Sequence, residues 1–216
     1  MASHLSAVIK RFDPEDQDIV AFLKFRKALF IDKLGWDLTA QGEAEIDEFD
    51  NENAVICVMF HNNVVVGGFR AIQASNPYLA RSVFPSFATR QAYPTRPDYW
   101  EISRFGVMTE LDASLVAKAN YSVMFRFALK RQATALIAIA DLTYERYLAT
   151  LGIITARYGG SEIIGHDRMG RPIEVVAGEI PLTGQASPRF LNLLSIANTM
   201  EINDETLVLG YDAISA

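Results

Sequence analysis

The strongest constraint on this chain lies in residues 54–74. Two runs of β-branched and aliphatic residues, "AVICVMF" and "VVVGGFRAIQA", are separated only by "HNN". Two such runs joined by an Asn-rich turn make a β-hairpin. An antiparallel ribbon is therefore built into the N-terminal half. Further along, strand and helix patterns alternate: "ATALIAIA" reads as a buried strand, "LTYERYLATL" as a helix, and "GIITARYG" and "PIEVVAGEI" as strands. Alternation of that kind brings helices onto the faces of a sheet. One mixed sheet with helices on both faces satisfies both demands.

The remaining segments fit that plan. Residues 5–11 read as a first strand. The stretch "DPEDQDIVAFLKFRKALFIDKLGW" reads as a long helix, with Asp13 as N-cap, Pro14 as first helical residue and Gly35 as stop. Ile19, Phe22, Phe30 and Leu34 give it an apolar stripe, with Leu23 and Leu29 alongside. Residues 37–53 have no clean period and read as a loop. Residues 76–98 hold four of the eight prolines and read as a loop with at most a short helical turn. "YWEISRFGV", 99–107, is a strand, 114–133 a second long helix with Ser114 as a possible cap, and "SPRFLNLLSIANTM" a short closing helix. No repeat or low-complexity linker interrupts the chain, so a single domain over 1–216 is expected. The fold class is α/β, three-layer α-β-α with a mixed, mostly antiparallel central sheet, similar to acyltransferases of the N-acetyltransferase class.

Composition narrows the function. A net charge of −6 argues against a general nucleic-acid binder. The charge is uneven: Asp37–Glu52 holds seven acidic residues and no basic one, whereas Lys118–Arg171 holds eight basic and four acidic. The basic stretch is either ordinary surface variation or a face that docks an acidic partner. The single cysteine, Cys57, rules out an intrachain disulfide and fits a reducing cytoplasm. His4, His61 and His166 show no metal-ligand spacing, so no metal is expected. The N-terminus lacks a signal-peptide core, and "ATALIAIA" is too short to span a bilayer. A cytoplasmic protein without stable membrane association is expected.

The puzzle is charge among apolar residues. Arg26 and Phe30 sit four apart on one helix face, with Trp36 just past Gly35. Asp47 and Asp50 lie in "EIDEFD", where a solvated acidic loop is the default. Arg70, in "GGFRAI", sits on an otherwise apolar strand and wants a carboxylate, for which Asp47, Asp50 and Glu101 are candidates. In a flat strand Glu101 and Ser103 share a face and Arg104 takes the other. For Glu101 and Arg104 to serve one site, the strand has to bulge.

Taken together, Arg26, Phe30, Trp36, Asp47, Asp50, Arg70, Glu101 and Arg104 stand at spacings that resemble the acyl-homoserine-lactone synthase family, the autoinducer synthases of bacterial quorum sensing. "GGFR" and "WEISRF" fit as local phrases, and the resemblance spans roughly residues 8–175. It implies acyl transfer from acyl-carrier protein to the amine of S-adenosylmethionine, then lactone closure with loss of methylthioadenosine. S-adenosylmethionine is then a substrate and no cofactor is implied. On this reading Glu101 is the candidate base and Arg104 the candidate carboxylate clamp. Phe30 and Trp36 offer aromatic faces to the sulfonium and adenine. Arg26, Asp47, Asp50 and Arg70 form an ion-pair network, and the backbone at Ser103 and Phe105 adjoins substrate. The family often carries a threonine, tied to 3-oxo products, where this chain has Ala138 or Ala140. An unsubstituted acyl chain in a pocket at those alanines is therefore expected, with a 3-hydroxy chain as the alternative. Lys118, Arg126, Lys130, Arg131 and Arg146 are candidates for docking the acidic carrier. The competing readings are an N-acyltransferase that uses acyl-coenzyme A on another amine, and a non-catalytic binding module. "MTELDASLVAKAN" after the central strand lacks the glycine-rich pyrophosphate loop of the former.

Overall fold

A computed structural model describes residues 5–166 and 169–207. Ten strands and five helices run in the order β1 (Leu5–Arg11), α1 (Gln17–Arg26), β2 (Ala40–Gln41), β3 (Ala44–Glu45), β4 (Ala54–His61), β5 (Val64–Gln73), α2 (Leu79–Val83), β6 (Tyr99–Val107), α3 (Ala113–Lys130), β7 (Ala135–Asp141), α4 (Leu142–Thr150), β8 (Ala156–His166), β9 (Pro172–Pro181), α5 (Pro188–Ser195) and β10 (Glu201–Asp204). Eight of the strands form one sheet in the order β10-β1-β4-β5-β6-β7-β9-β8. Only β1–β10 and β6–β7 pair in parallel; the other five neighbours are antiparallel. The mixed, mostly antiparallel sheet is as expected.

The hairpin β4–β5 turns through Asn62 and Asn63, both at positive φ (50° and 65°). Such a turn matches the twist of its strands. Helix α1 begins later than the sequence suggested. Asp16, rather than Asp13, accepts the N–H groups of Asp18 and Ile19 at 2.9 and 3.1 Å, while Asp13 holds the preceding turn through Glu15 N–H. After Arg26 the helix widens into a π-helical segment, Lys27–Lys33, ended by Gly35 at φ 74°. Asp112, not Ser114, caps α3 by accepting from Ser114 and Leu115 N–H. The acidic loop contains the small β2–β3 hairpin. Strand β8 starts at Ala156, because Gly152 forms a tight turn at φ 76°. Strand β10, four residues added in parallel to β1, was not expected.

The sheet has two different faces. On the front, α1, its π-helical extension and α2 cover Ile56, Val58, Ile72 and Ile137. On the back, α3, α4 and α5 cover Cys57, Phe69, Ile102 and Leu136. Three layers result. No helix among the described residues is long and apolar enough to cross a membrane.

Candidate active site

The site grows from an irregularity in β6. Between β5 and β6, Gly68 faces Gly106 and Arg70 faces Ser103, so β6 carries one residue more than its partner. The extra residue is accommodated at Arg104, whose φ is +52°. A side chain other than glycine in the left-handed region costs about 1–2 kcal/mol, so the surroundings have to hold it there. The bulge turns Arg104 to the front face, beside Ser103, and sends Phe105 to the back. There its ring stacks on Tyr121 at 4.3 Å. The paired glycines open the opposite strand: a Cβ on Gly68 would strike Cys57 O and the ring of Phe22. Gly106 abuts Leu29 and Phe30 of the π-helical segment in the same way. Segments of that kind are common beside functional sites.

Arg104 is held by a closed ring of alternating charge. Arg26 Nε donates to Glu45 at 2.5 Å. Glu45 also accepts from Arg104 Nε and Nη2, at 3.0 and 2.9 Å. Arg104 Nη2 donates to Asp47 at 2.8 Å, and Asp47 pairs with Arg70. Arg70 Nη1 lies 3.0 Å from Asp50, and Asp50 closes the circuit by accepting both terminal nitrogens of Arg26, at 2.7 and 2.8 Å. Arg70 Nε donates to Ser103 at 3.0 Å. Three cations and three anions cancel, which is what makes their burial tolerable. The side chains of Arg26, Arg70, Glu45 and Asp50 are wholly buried; Arg104 is 7% and Asp47 19% exposed. The Arg104–Asp47 edge is thus the ring's open side. Burial pushes the Asp50 carboxyl up, but Arg26 and Arg70 outweigh it and hold its pKa at about 2.

Glu101 stands apart from the ring. It is 1% exposed on the same front face and accepts the N–H groups of Leu79 and Ala80, which open α2, at 3.0 and 2.6 Å. Burial pushes its pKa up to about 7, against the downward pull of those N–H groups and of Arg70. A carboxylate balanced near neutrality is suited to accept a proton. Its position is also distinctive. β6 and β7 pair only from Tyr99/Ala135 to Glu101/Ile137, although both strands run on. A gap opens in the sheet beyond Glu101, with the bulge on one side and β7 on the other.

On the back face, behind that gap, lies a hollow of about 40 Å³ lined by Ala138, Ala140, Leu148, Val176, Gly178 and Ile180. That is room for roughly three water-sized positions. Arg157 and Glu145 pair at its rim.

The remaining sequence candidates fall into two groups. Phe30 is buried and stacks at 4.9 Å on Trp36, which is 39% exposed. Lys118 lies near the bulge end of α3, whose Asn120 donates to the Gly68 and Gly106 carbonyls. Arg146 follows β7 on α4. The other basic residues sit elsewhere. Arg126 donates to Ala197 O at 3.1 Å. Arg131 pairs with Asp204 at 2.9 Å and lies over Phe127, so its guanidinium fastens β10 rather than facing a partner. Lys130 is exposed but lies with Arg131 about 16 Å along α3 from Asn120, at 1.5 Å per residue. Sequence reasoning missed Glu45, which hid in an acidic run. The alternation Glu45, Asp47 puts both carboxylates on one side of an extended segment, but exposed Glu43 shares it, so it does not single out Glu45. Among the described residues no group of three or more His, Cys, Asp or Glu is arranged to hold a metal ion.

Comparison with known proteins places these features in a lineage. The family model for autoinducer synthases matches residues 13–170. An acyl-homoserine-lactone synthase of Aliivibrio fischeri is 28% identical over 153 residues, covering 68% of this chain and 79% of that protein. One from Pseudomonas aeruginosa is 28% identical over 139 residues, covering 63% and 68%. Among solved structures, the coenzyme-A-dependent acyl-homoserine lactone synthase BjaI with MTA superposes with a TM-score of 0.81, at 18% identity and 95% coverage of both chains. The acyl-homoserine lactone synthase LasI gives 0.75 at 23% identity, covering 88% of this chain and 96% of that one. An N-acetyltransferase from Lactobacillus plantarum gives 0.53 at 14% identity, which relates the fold alone.

Proposed function

This chain belongs to the autoinducer synthase family, and from that premise we propose how its two faces divide the synthesis of an acyl-homoserine lactone. The enzyme is an acyltransferase that joins an acyl group to the amine of S-adenosylmethionine and closes the lactone. The amine attacks the thioester carbonyl; a C–N bond forms, the C–S bond breaks, and the thiol leaves. The methionyl carboxylate then attacks its own γ-carbon. The sulfonium C–S bond breaks, and neutral methylthioadenosine departs.

The observation that carries the assignment of roles is the placement of Glu101: a buried carboxylate near neutral pKa, at the apex of the gap, on the face of the charge ring. Glu101 takes the proton from the attacking amine, directly or through a water. The open edge of the ring receives the amino-acid end of S-adenosylmethionine, with Asp47 nearest its ammonium and Arg104 nearest its carboxylate. Arg26, Glu45, Arg70 and Asp50 hold that edge in place. Exposed Trp36, backed by Phe30, offers its face to the sulfonium and adenine. Backbone N–H groups of Ser103 to Phe105, at the bulge, stabilise the developing oxyanion. The acyl chain passes through the gap into the hollow at Ala138 and Ala140.

We take the acyl donor to be acyl-carrier protein. In support, Asp112 occupies the first turn of α3 with its own carboxylate, where a pyrophosphate would otherwise find free N–H groups. Lys118 in the N-terminal half of α3 and Arg146 on α4, which follows β7, suit an acidic carrier. A coenzyme A donor is the alternative, since BjaI is described as coenzyme-A-dependent. We place the enzyme in the cytoplasm, a compartment consistent with its one reduced, buried cysteine.

The test is to incubate the protein with S-adenosylmethionine and a panel of acyl-carrier proteins and acyl-coenzyme A thioesters. Mass spectrometry should find acyl-homoserine lactone and methylthioadenosine in equal amounts. No lactone from any donor would overturn the reading.

A further inference from the structure

Tyr147 is out of place in an apolar layer. It sits on α4 and packs against the back core, its ring 6.1 Å from that of Tyr121. Tyr121 in turn stacks on Phe105, the residue that follows Arg104 through the bulge. Its chain neighbour Leu148 lines the hollow with Ala138 and Ala140. Tyr147 thus touches the aromatic pair behind the bulge and adjoins, through Leu148, the wall of the hollow. Its hydroxyl is sealed from solvent and has no hydrogen-bond partner among the described residues. The other such atom, Asn120 Oδ1, belongs to the side chain that holds the bulge carbonyls of Gly68 and Gly106. Both orphans thus flank the back of β6.

A buried hydroxyl without a partner carries its desolvation penalty with nothing to offset it. Phenylalanine would supply the same ring without that penalty, so the oxygen calls for a partner that arrives with the substrate. Methylenes supply none. The β7 wall supplies none either, because Ala138 and Ala140 carry only methyl groups. Resting on the lactone-synthase reading, we propose that the Tyr147 hydroxyl hydrogen-bonds a hydroxyl or keto oxygen near the thioester end of the acyl group, so that the enzyme prefers oxygen-substituted acyl donors. This departs from the unsubstituted chain expected from the two alanines, which considered β7 alone.

The test is Tyr147→Phe assayed with 3-oxo, 3-hydroxy and unsubstituted acyl-carrier proteins of equal chain length. The wild type should favour an oxygenated donor, and the substitution should lower the ratio of oxygenated to unsubstituted kcat/KM by about tenfold or more. Lactone formation with an unchanged ratio would overturn this proposal while leaving the enzyme assignment standing. No lactone from wild type with any donor would instead fail the assignment itself. Thermal unfolding is the second readout. Removing an unpartnered hydroxyl should leave the melting temperature equal or higher, whereas a clear drop would show that the protein already bonds it and would overturn the proposal.

Discussion

The front and back of the central sheet are built from different materials and answer to different forces. Around the site the front is polar and over-determined: each of the six ring groups touches two of opposite charge, so its geometry is fixed by mutual need. The back is apolar and under-filled, with small residues Ala138, Ala140 and Gly178 leaving a hollow against α4. Charge geometry is intolerant of change because a stranded buried ion loses several kcal/mol. Apolar volume is tolerant, since methylenes contribute in increments of about 0.8 kcal/mol. The proposed roles follow that division, with chemistry on the first surface and substrate choice on the second.

The comparison breaks most visibly at Glu101. Glu101→Gln should lower turnover about a thousandfold while leaving the KM for S-adenosylmethionine within a few fold; steady-state kinetics that show near-normal turnover would remove Glu101 as base. Next comes the ring. Glu45→Gln strands Arg26 and Arg104 together and should destabilise the fold by about 3–5 kcal/mol, read by denaturant unfolding. An effect below about 1 kcal/mol would mean the ring is not a unit. Back-face substitution should be milder and selective: Ala138→Leu should cut kcat/KM for long acyl donors about tenfold and spare short ones. Equal losses for both would place the acyl chain elsewhere. The smallest effect is on docking. Lys118→Glu or Arg146→Glu should raise the KM for carrier protein a few fold at low salt, and Lys130→Glu should do less; the reverse order would move the docking surface to the far end of α3.

Proton linkage separates the same two kinds of carboxylate on the front face. Burial holds Glu101 near 7, above the ordinary 4.5, so its contribution to stability is present below about 4.5 and lost as pH rises to 7. Turnover should climb over the upper part of that window as Glu101 ionises. Asp50, held near 2 against an ordinary 3.8, contributes stability above 3.8 that is lost as pH falls to 2. A pH titration of melting temperature alongside kcat/KM distinguishes the two.

Much of this was legible beforehand, for identifiable reasons. Hairpin β4–β5 was local, so "HNN" between two aliphatic runs sufficed. The bulge in β6 was inferable because Glu101 and Arg104 had a spacing no flat strand reconciles. Glu45 was invisible because its partners lie 19 and 59 residues away, and nothing in the run "GEAEIDEFD" separates a buried acid from solvated ones. The Arg131–Asp204 pair was hidden for the same reason: Asp204 belongs to a strand too short to show a period. Tyr147 escaped notice because an orphaned hydroxyl is a property of its surroundings, not of the helix that carries it.

The closed ring has a consequence for how such a sequence can drift. With six members each sharing two neighbours, a single replacement always leaves two others mismatched. Repair needs a compensating change on a different segment of the chain, hence two rare events at once. The back-face hollow has no such bookkeeping. There one residue at a time can be exchanged, each step yielding a working enzyme with a slightly altered product. A lineage built on this plan can diversify its chemical vocabulary while its reaction stays locked.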